Sequence, residues 1–175
     1  VRPYCFFPTR EGRNYITVSG LTLCQAATQW APPTAFQPGL IGANWSKGWV
    51  IENCTIHDSK CCGISLGKRA EDKDNIWSID PSKGGSQTYT EIIFQNVNDG
   101  WDQEHIGSHT IRNNTIYNCG QTGIVGCMGA AFSTITGNHI HHCNIRGEFS
   151  GAEMAGIKLH AAIDVVVEKN CIHDS

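Results

Sequence analysis

The sequence predicts an all-β solenoid of the parallel β-helix type, incomplete at its C-terminal end. Three observations carry this prediction. A nine-residue motif recurs along the chain, a short glycine-led element follows three of its copies, and the clearest copy-to-copy step, Ile111 to Ile135, is the size of one coil.

The motif reads I-E-N-C-T-I-H-D-S at 51–59 and I-R-N-N-T-I-Y-N-C at 111–119. It returns as I-T-G-N-H-I-H-H-C at 135–143 and V-E-K-N-C-I-H-D-S at 167–175, with a weaker copy, V-S-G-L-T-L-C-Q-A, from Val18. Each copy reads as short β structure around a tight bend, without the 3.6-residue period of a helix. The second element is Gly63-Ile64-Ser65-Leu66, Gly123-Ile124-Val125-Gly126 and Gly156-Ile157-Lys158-Leu159. A single coil cannot bury its own inward side chains, so coils stack with like residues in rows, Ile56 on Ile116 on Ile140 on Ile172. The recurrent Asn is expected at the bend, because Asn tolerates left-handed backbone and bonds locally. Cys119 and Cys143 occupy the ladder position of Ser59 and Ser175. This repetition suits small, buried, reduced thiols better than a disulfide framework, despite nine cysteines.

Residues 1–175 are expected to form part of a single β-helix domain with loop insertions near 24–48, 68–108 and 144–155. Glu91-Ile92-Ile93-Phe94 is expected to form a strand inside the second insertion. Residues 167–175 supply the first element of a coil whose second element does not follow, so the chain is expected to be a fragment of a longer protein. Open coil ends are expected to favour a homo-oligomer.

Of the 175 residues 40% are hydrophobic and 17% charged, with a formal net charge of −3. That is enough apolar material for a core. Without a Lys/Arg run, it argues against nucleic acid and against an anionic membrane as partners. No apolar stretch is long enough to span a bilayer. Sequons at Asn44, Asn53 and Asn113 are read as coincidence, since two of them fall inside the repeat.

Three longer segments are more specific than the repeat. They are W-A-P-P-T-A-F-Q-P-G-L-I-G-A-N-W-S-K-G-W-V-I-E-N (30–53), C-G-Q-T-G-I-V-G (119–126) and G-A-E-M-A-G-I-K-L-H-A-A-I-D-V (151–165). Through them the chain resembles the β-xylosidases of glycoside hydrolase family 120 over nearly its whole length. The resemblance implies a right-handed parallel β-helix, a retaining glycosidase acting on β-xylosides or xylo-oligosaccharides, and a bound calcium near the active site. It also implies a β-sandwich that would precede Val1. The family's nucleophilic Asp, in a G-I-W-L-D-W type strand, and its acid/base Glu would both lie beyond Ser175, so no catalytic residue carries over to this chain. Glu153 matches a family residue that binds sugar hydroxyls.

Read on their own chemistry, several residues qualify as sugar contacts. A glycosidase needs two carboxyl groups, about 5 Å apart for retention. Asp102, Glu104, Glu148, Glu153 and Asp164 are the carboxylates weighed for that role. Lys158 and His160 alternate with Ile157 and Leu159, which sends the polar pair outward, beside Glu153. Trp30, and less so Trp45 and Trp101, sits in a Gly/Pro-rich segment where an indole face can stack on a pyranose. Gln121 falls within the C-G-Q-T-G segment. The substrate-binding set is therefore Glu153, Trp30, Trp101, Gln121, Lys158 and His160, with an oligosaccharide or polysaccharide as the partner. A polysaccharide lyase using Lys158, or a carbohydrate-binding β-helix without hydrolase activity, is the alternative. Metal ligands are left unassigned. His141 and His142, as strand neighbours, are expected to point apart, and Cys61-Cys62 lacks zinc-site spacing. Calcium rests on the resemblance alone.

Overall fold

The computed structural model describes residues 2–28, 36–69, 82, 85–150 and 154–175. Each repeat copy folds as two short strands. β1 (Thr17–Ser19) and β2 (Thr22–Cys24) open the series, and β3 (Ile41–Gly42) completes the first coil. The second coil is β4 (Val50–Glu52), β5 (Thr55–His57) and β6 (Cys62–Ser65). The third is β7 (Thr110–Arg112), β8 (Thr115–Tyr117) and β9 (Thr122–Cys127). β10 (Thr134–Thr136), β11 (His139–His141) and β12 (Ala155–His160) form the fourth. β13 (Val166–Glu168) and β14 (Cys171–His173) begin a fifth.

The strands assemble into three parallel sheets, β1-β4-β7-β10-β13, β2-β5-β8-β11-β14 and β3-β6-β9-β12. Like residues are in register. Val18, Ile51, Ile111, Ile135 and Val167 form one row, and Leu23, Ile56, Ile116, Ile140 and Ile172 form a second. Ile41, Ile64, Ile124 and Ile157 form the third. The three rows meet along the axis as one core, in which Ile51, Ile56, Ile64, Ile111, Ile116 and Ile124 are wholly buried. Each such side chain contributes about 2 kcal/mol of transfer free energy, so the stack is held mainly by its isoleucines.

The Asn ladder departs from expectation. Left-handed backbone falls one residue earlier, at Asn53, Asn113, Gly137 and Lys169. The recurrent Asn114, Asn138 and Asn170 instead bond from coil to coil. Asn114 accepts from the Cys54 N–H and donates from Nδ2 to the Ile51 carbonyl and Asn138 Oδ1. Asn138 repeats the pattern toward Ile111 and Asn170. The amide thus satisfies main-chain groups that the turn leaves unpaired inside the core, which a left-handed role alone would not require.

The segment 91–94 is not a strand. It lies within a helix, α1 (Gly85–Asn98). Ile92 and Asn96, four residues apart, are both buried on one helical face, whereas Phe94 is exposed. The β-branched pair Ile92-Ile93 suggested a strand, but helical spacing of the buried positions prevails. All nine cysteines are free, and Cys119 and Cys143 are buried at the ladder position shared with Ser59.

Candidate active-site face

The three chain segments that interrupt the repeat adjoin the third sheet, preceding β3, following β6 and preceding β12. Its outer face is therefore the place where inserted residues and scaffold meet. The scaffold side is built by alternation. Ile157 and Leu159 of β12 pack against the core, and Lys158 and His160 between them are half-buried on the opposite face. Register sets Lys158 beside Val125 and His160 beside Cys127. Phe149 packs on Cys61, Cys62 and Val125 and closes one flank.

Beside this pair lies a narrow crevice lined by Gln37, Ser65, Lys68, Val125 and Cys127. Lys68 is almost fully buried there, which is costly for an ammonium and places a cationic donor in the wall. Gln121 is wholly buried, and its Oε1 lies 3.5 Å from both Gln37 Nε2 and Cys62 Sγ. As described, Gln121 supports Gln37 from within and does not face solvent. Its place in the motif gave no sign of this, because its burial comes from the neighbouring coil. Gln37 and Lys68 are lining residues that sequence reasoning missed; neither belongs to a repeat copy.

Trp101 is half-buried, and its indole N–H donates to the Met128 carbonyl at 3.1 Å, which pins the segment after α1 to the scaffold. Trp30 and Glu153 lie outside the described residues. The other carboxylates do not form a pair. Asp102 accepts from the His105 main chain and ring, and that bond holds its carboxyl below the usual range. Glu104 is exposed beside it, with its carbonyl accepting from Lys47 Nζ. Glu148 pairs with Arg146 at 3.4 Å, and Asp164 is exposed at a left-handed turn. A second, open groove is lined by Asp58, Lys60, Arg146 and Glu148. Arg146 is engaged there with the Ser59 carbonyl and with Asn118.

The expectation that His141 and His142 point apart is corrected. β11 ends at His141, and His142 takes a positive φ, so the chain turns and brings the two Nδ1 atoms to 2.7 Å. Among the described residues no three carboxylates converge. The one converging set of three ligands among the described residues is His139, Cys171 and His173, which offers nitrogen and sulfur and does not fit calcium.

Parallel coils stacked in three sheets define a β-helix. The chain belongs to the family described as "Right handed beta helix region", whose model matches residues 39–175. Among solved structures it is similar to XylC in complex with xylose, with 56% identity and a TM-score of 0.96 over 99% of this chain. The chain spans 27% of the length of that protein. No curated protein matches it.

Proposed function

We propose that this chain is part of a retaining glycoside hydrolase of the family 120 type, acting on β-xylosides and xylo-oligosaccharides. The observation that carries the reading is the 56% identity, over 99% of this chain, to a protein solved with xylose bound. The chain's own contribution is sugar binding. Lys158 and His160 supply donors on the outer face of the third sheet, and Glu153 supplies an acceptor at the end of the segment before β12. Both reacting carboxylates lie elsewhere in the full-length protein, so the 175 residues alone do not turn over substrate. Calcium, which the family resemblance implies, would need oxygen ligands other than the His139, Cys171 and His173 set.

The test is hydrolysis of an aryl β-xyloside by the full-length protein, with the product anomer followed by NMR. The β-anomer is expected first. Lys158→Ala and His160→Ala are expected to raise KM or lower kcat/KM by about tenfold, the usual scale for a lost charged or polar substrate contact. Absence of turnover by a folded full-length protein would overturn the reading. Ultraviolet-absorbing unsaturated products from a uronate polymer would replace it with a lyase.

A further inference from the structure

The outer face of the second sheet carries a ligand set that neither the fold nor the proposed sugar chemistry uses. In the first three coils the outward position at the start of this sheet's strands is Thr22, Thr55 and Thr115, in register. In the next two it becomes His139 and then Cys171, which are register partners. β-Branched residues suited to a strand thus give way, in two adjacent coils, to metal-binding types. Strand period puts His173 on the same face as Cys171, and register sets His141 beside His173. The face is therefore a two-by-two grid of three imidazoles and one thiol.

The grid converges. His139 Nε2 and His173 Nε2 lie 2.8 Å apart, and one ligand atom from each of His139, Cys171 and His173 lies within 4.8 Å of the others. His173 Nδ1 is held by Asp174 Oδ2 at 2.8 Å. That bond fixes the proton on Nδ1 and leaves Nε2 as a lone pair facing His139, the carboxylate–histidine arrangement that orients metal-bound imidazoles. Further coils stacked on β14 would extend this sheet at its edge and leave its outer face open.

We propose that His139, Cys171 and His173 bind a borderline transition-metal cation of the zinc type, with a fourth position open to solvent. Zinc–ligand bonds of about 2.0–2.3 Å set tetrahedral ligand atoms roughly 3.3–3.8 Å apart. The observed spacings bracket that range, and exposed side chains can adjust to it. Two nitrogens and a thiolate exclude calcium and magnesium as the preferred ion.

The test uses the full-length protein, stripped with chelator and titrated with Co²⁺ and then Zn²⁺. One equivalent of Co²⁺ is expected to give thiolate-to-cobalt absorption in the near ultraviolet, which Zn²⁺ abolishes. Cys171→Ser is expected to remove that band. His139→Ala and His173→Ala are expected to weaken zinc binding at least about tenfold, and Asp174→Asn by about tenfold. A wild-type protein without the band, or one whose band survives Cys171→Ser, overturns the proposal. So does unchanged affinity in both histidine variants. A second measurement needs no variant: Zn²⁺ is expected to slow alkylation of Cys171 while leaving Cys5, the other exposed thiol, unaffected. Equal rates with and without zinc also overturn it.

Discussion

His109 is nearly fully buried in the coil-to-coil connection before β7, and its Nδ1 accepts the Trp49 N–H at 3.1 Å. That bond needs a lone pair on Nδ1, so the ring is neutral with its proton on Nε2. Burial pushes its pKa from the ordinary 6.5 down to about 4. An unfolded chain therefore binds a proton at His109 between those values while the folded chain does not. The sign follows: the stabilisation is fully present above pH 6.5 and is lost progressively as pH falls toward 4. The shift corresponds to about 3 kcal/mol by linkage. Thermal unfolding of the full-length protein is expected to show Tm falling across this window, and His109→Asn is expected to flatten the fall while keeping an acceptor for Trp49. An equally steep fall in the variant would remove His109 from the account. Asp58 and Asp174, each held below the usual carboxylate range mainly by an adjacent histidine, act at lower pH and do not mimic the effect.

The glycine at the head of each second element sets how closely the strands of the third sheet stack. A Cβ at Gly63 would lie 2.6 Å from the Gly123 carbonyl oxygen, and one at Gly123 would lie 2.7 Å from the Gly156 carbonyl oxygen and from Ile140 Cγ2. Both neighbours are locked in adjoining coils, so neither can yield without opening the ladder between β9 and β12. Gly123→Ala is expected to destabilise the protein by about 3 kcal/mol, read as a lowered denaturant midpoint. A midpoint unchanged from wild type would show that the coils are not so tightly set. This glycine row was legible in the sequence, as were the three aliphatic rows and the outward Lys158–His160 pair, because each recurs or alternates at a fixed interval. Helix α1 was not, since the segment that forms it has no second copy to compare. The Asn row was visible, but its purpose was not. A repeat shows that a residue matters without showing whether its backbone angle or its amide is what the coil needs. Gln121, too, looked like a contact because its burial depends on Gln37 and Cys62, which lie 84 and 59 residues away in sequence. The imidazole–thiol grid is different: the aligned repeats already set His139 beside Cys171 and His141 beside His173, but not how closely their ligand atoms converge, which depends on side-chain rotamers.

At the scale of the whole molecule, the stack is stabilised by each coil covering the one before. The rows make the dependence visible. Ile135 and Ile140 are wholly buried, whereas Val167 and Ile172, next in the same rows, are 49% and 46% exposed. The outer edges of β12, β13 and β14 have no strand partner among the described residues. An apolar end face ringed by unpaired main-chain donors and acceptors is a template for another parallel coil. A polypeptide of these 175 residues expressed alone is therefore expected to self-associate. Head-to-tail stacking is an open-ended contact, so it predicts a mass that climbs with concentration instead of stopping at a dimer. Light scattering across a concentration series measures this directly. Placing charge on the end face with Val167→Lys and Ile172→Lys is expected to return the mass to that of one chain, because burying an unpaired ammonium against a second coil costs more than the apolar contact returns. A monomer at every concentration would show that the end face is already satisfied, and association that persists in the double variant would place the contact elsewhere on the solenoid.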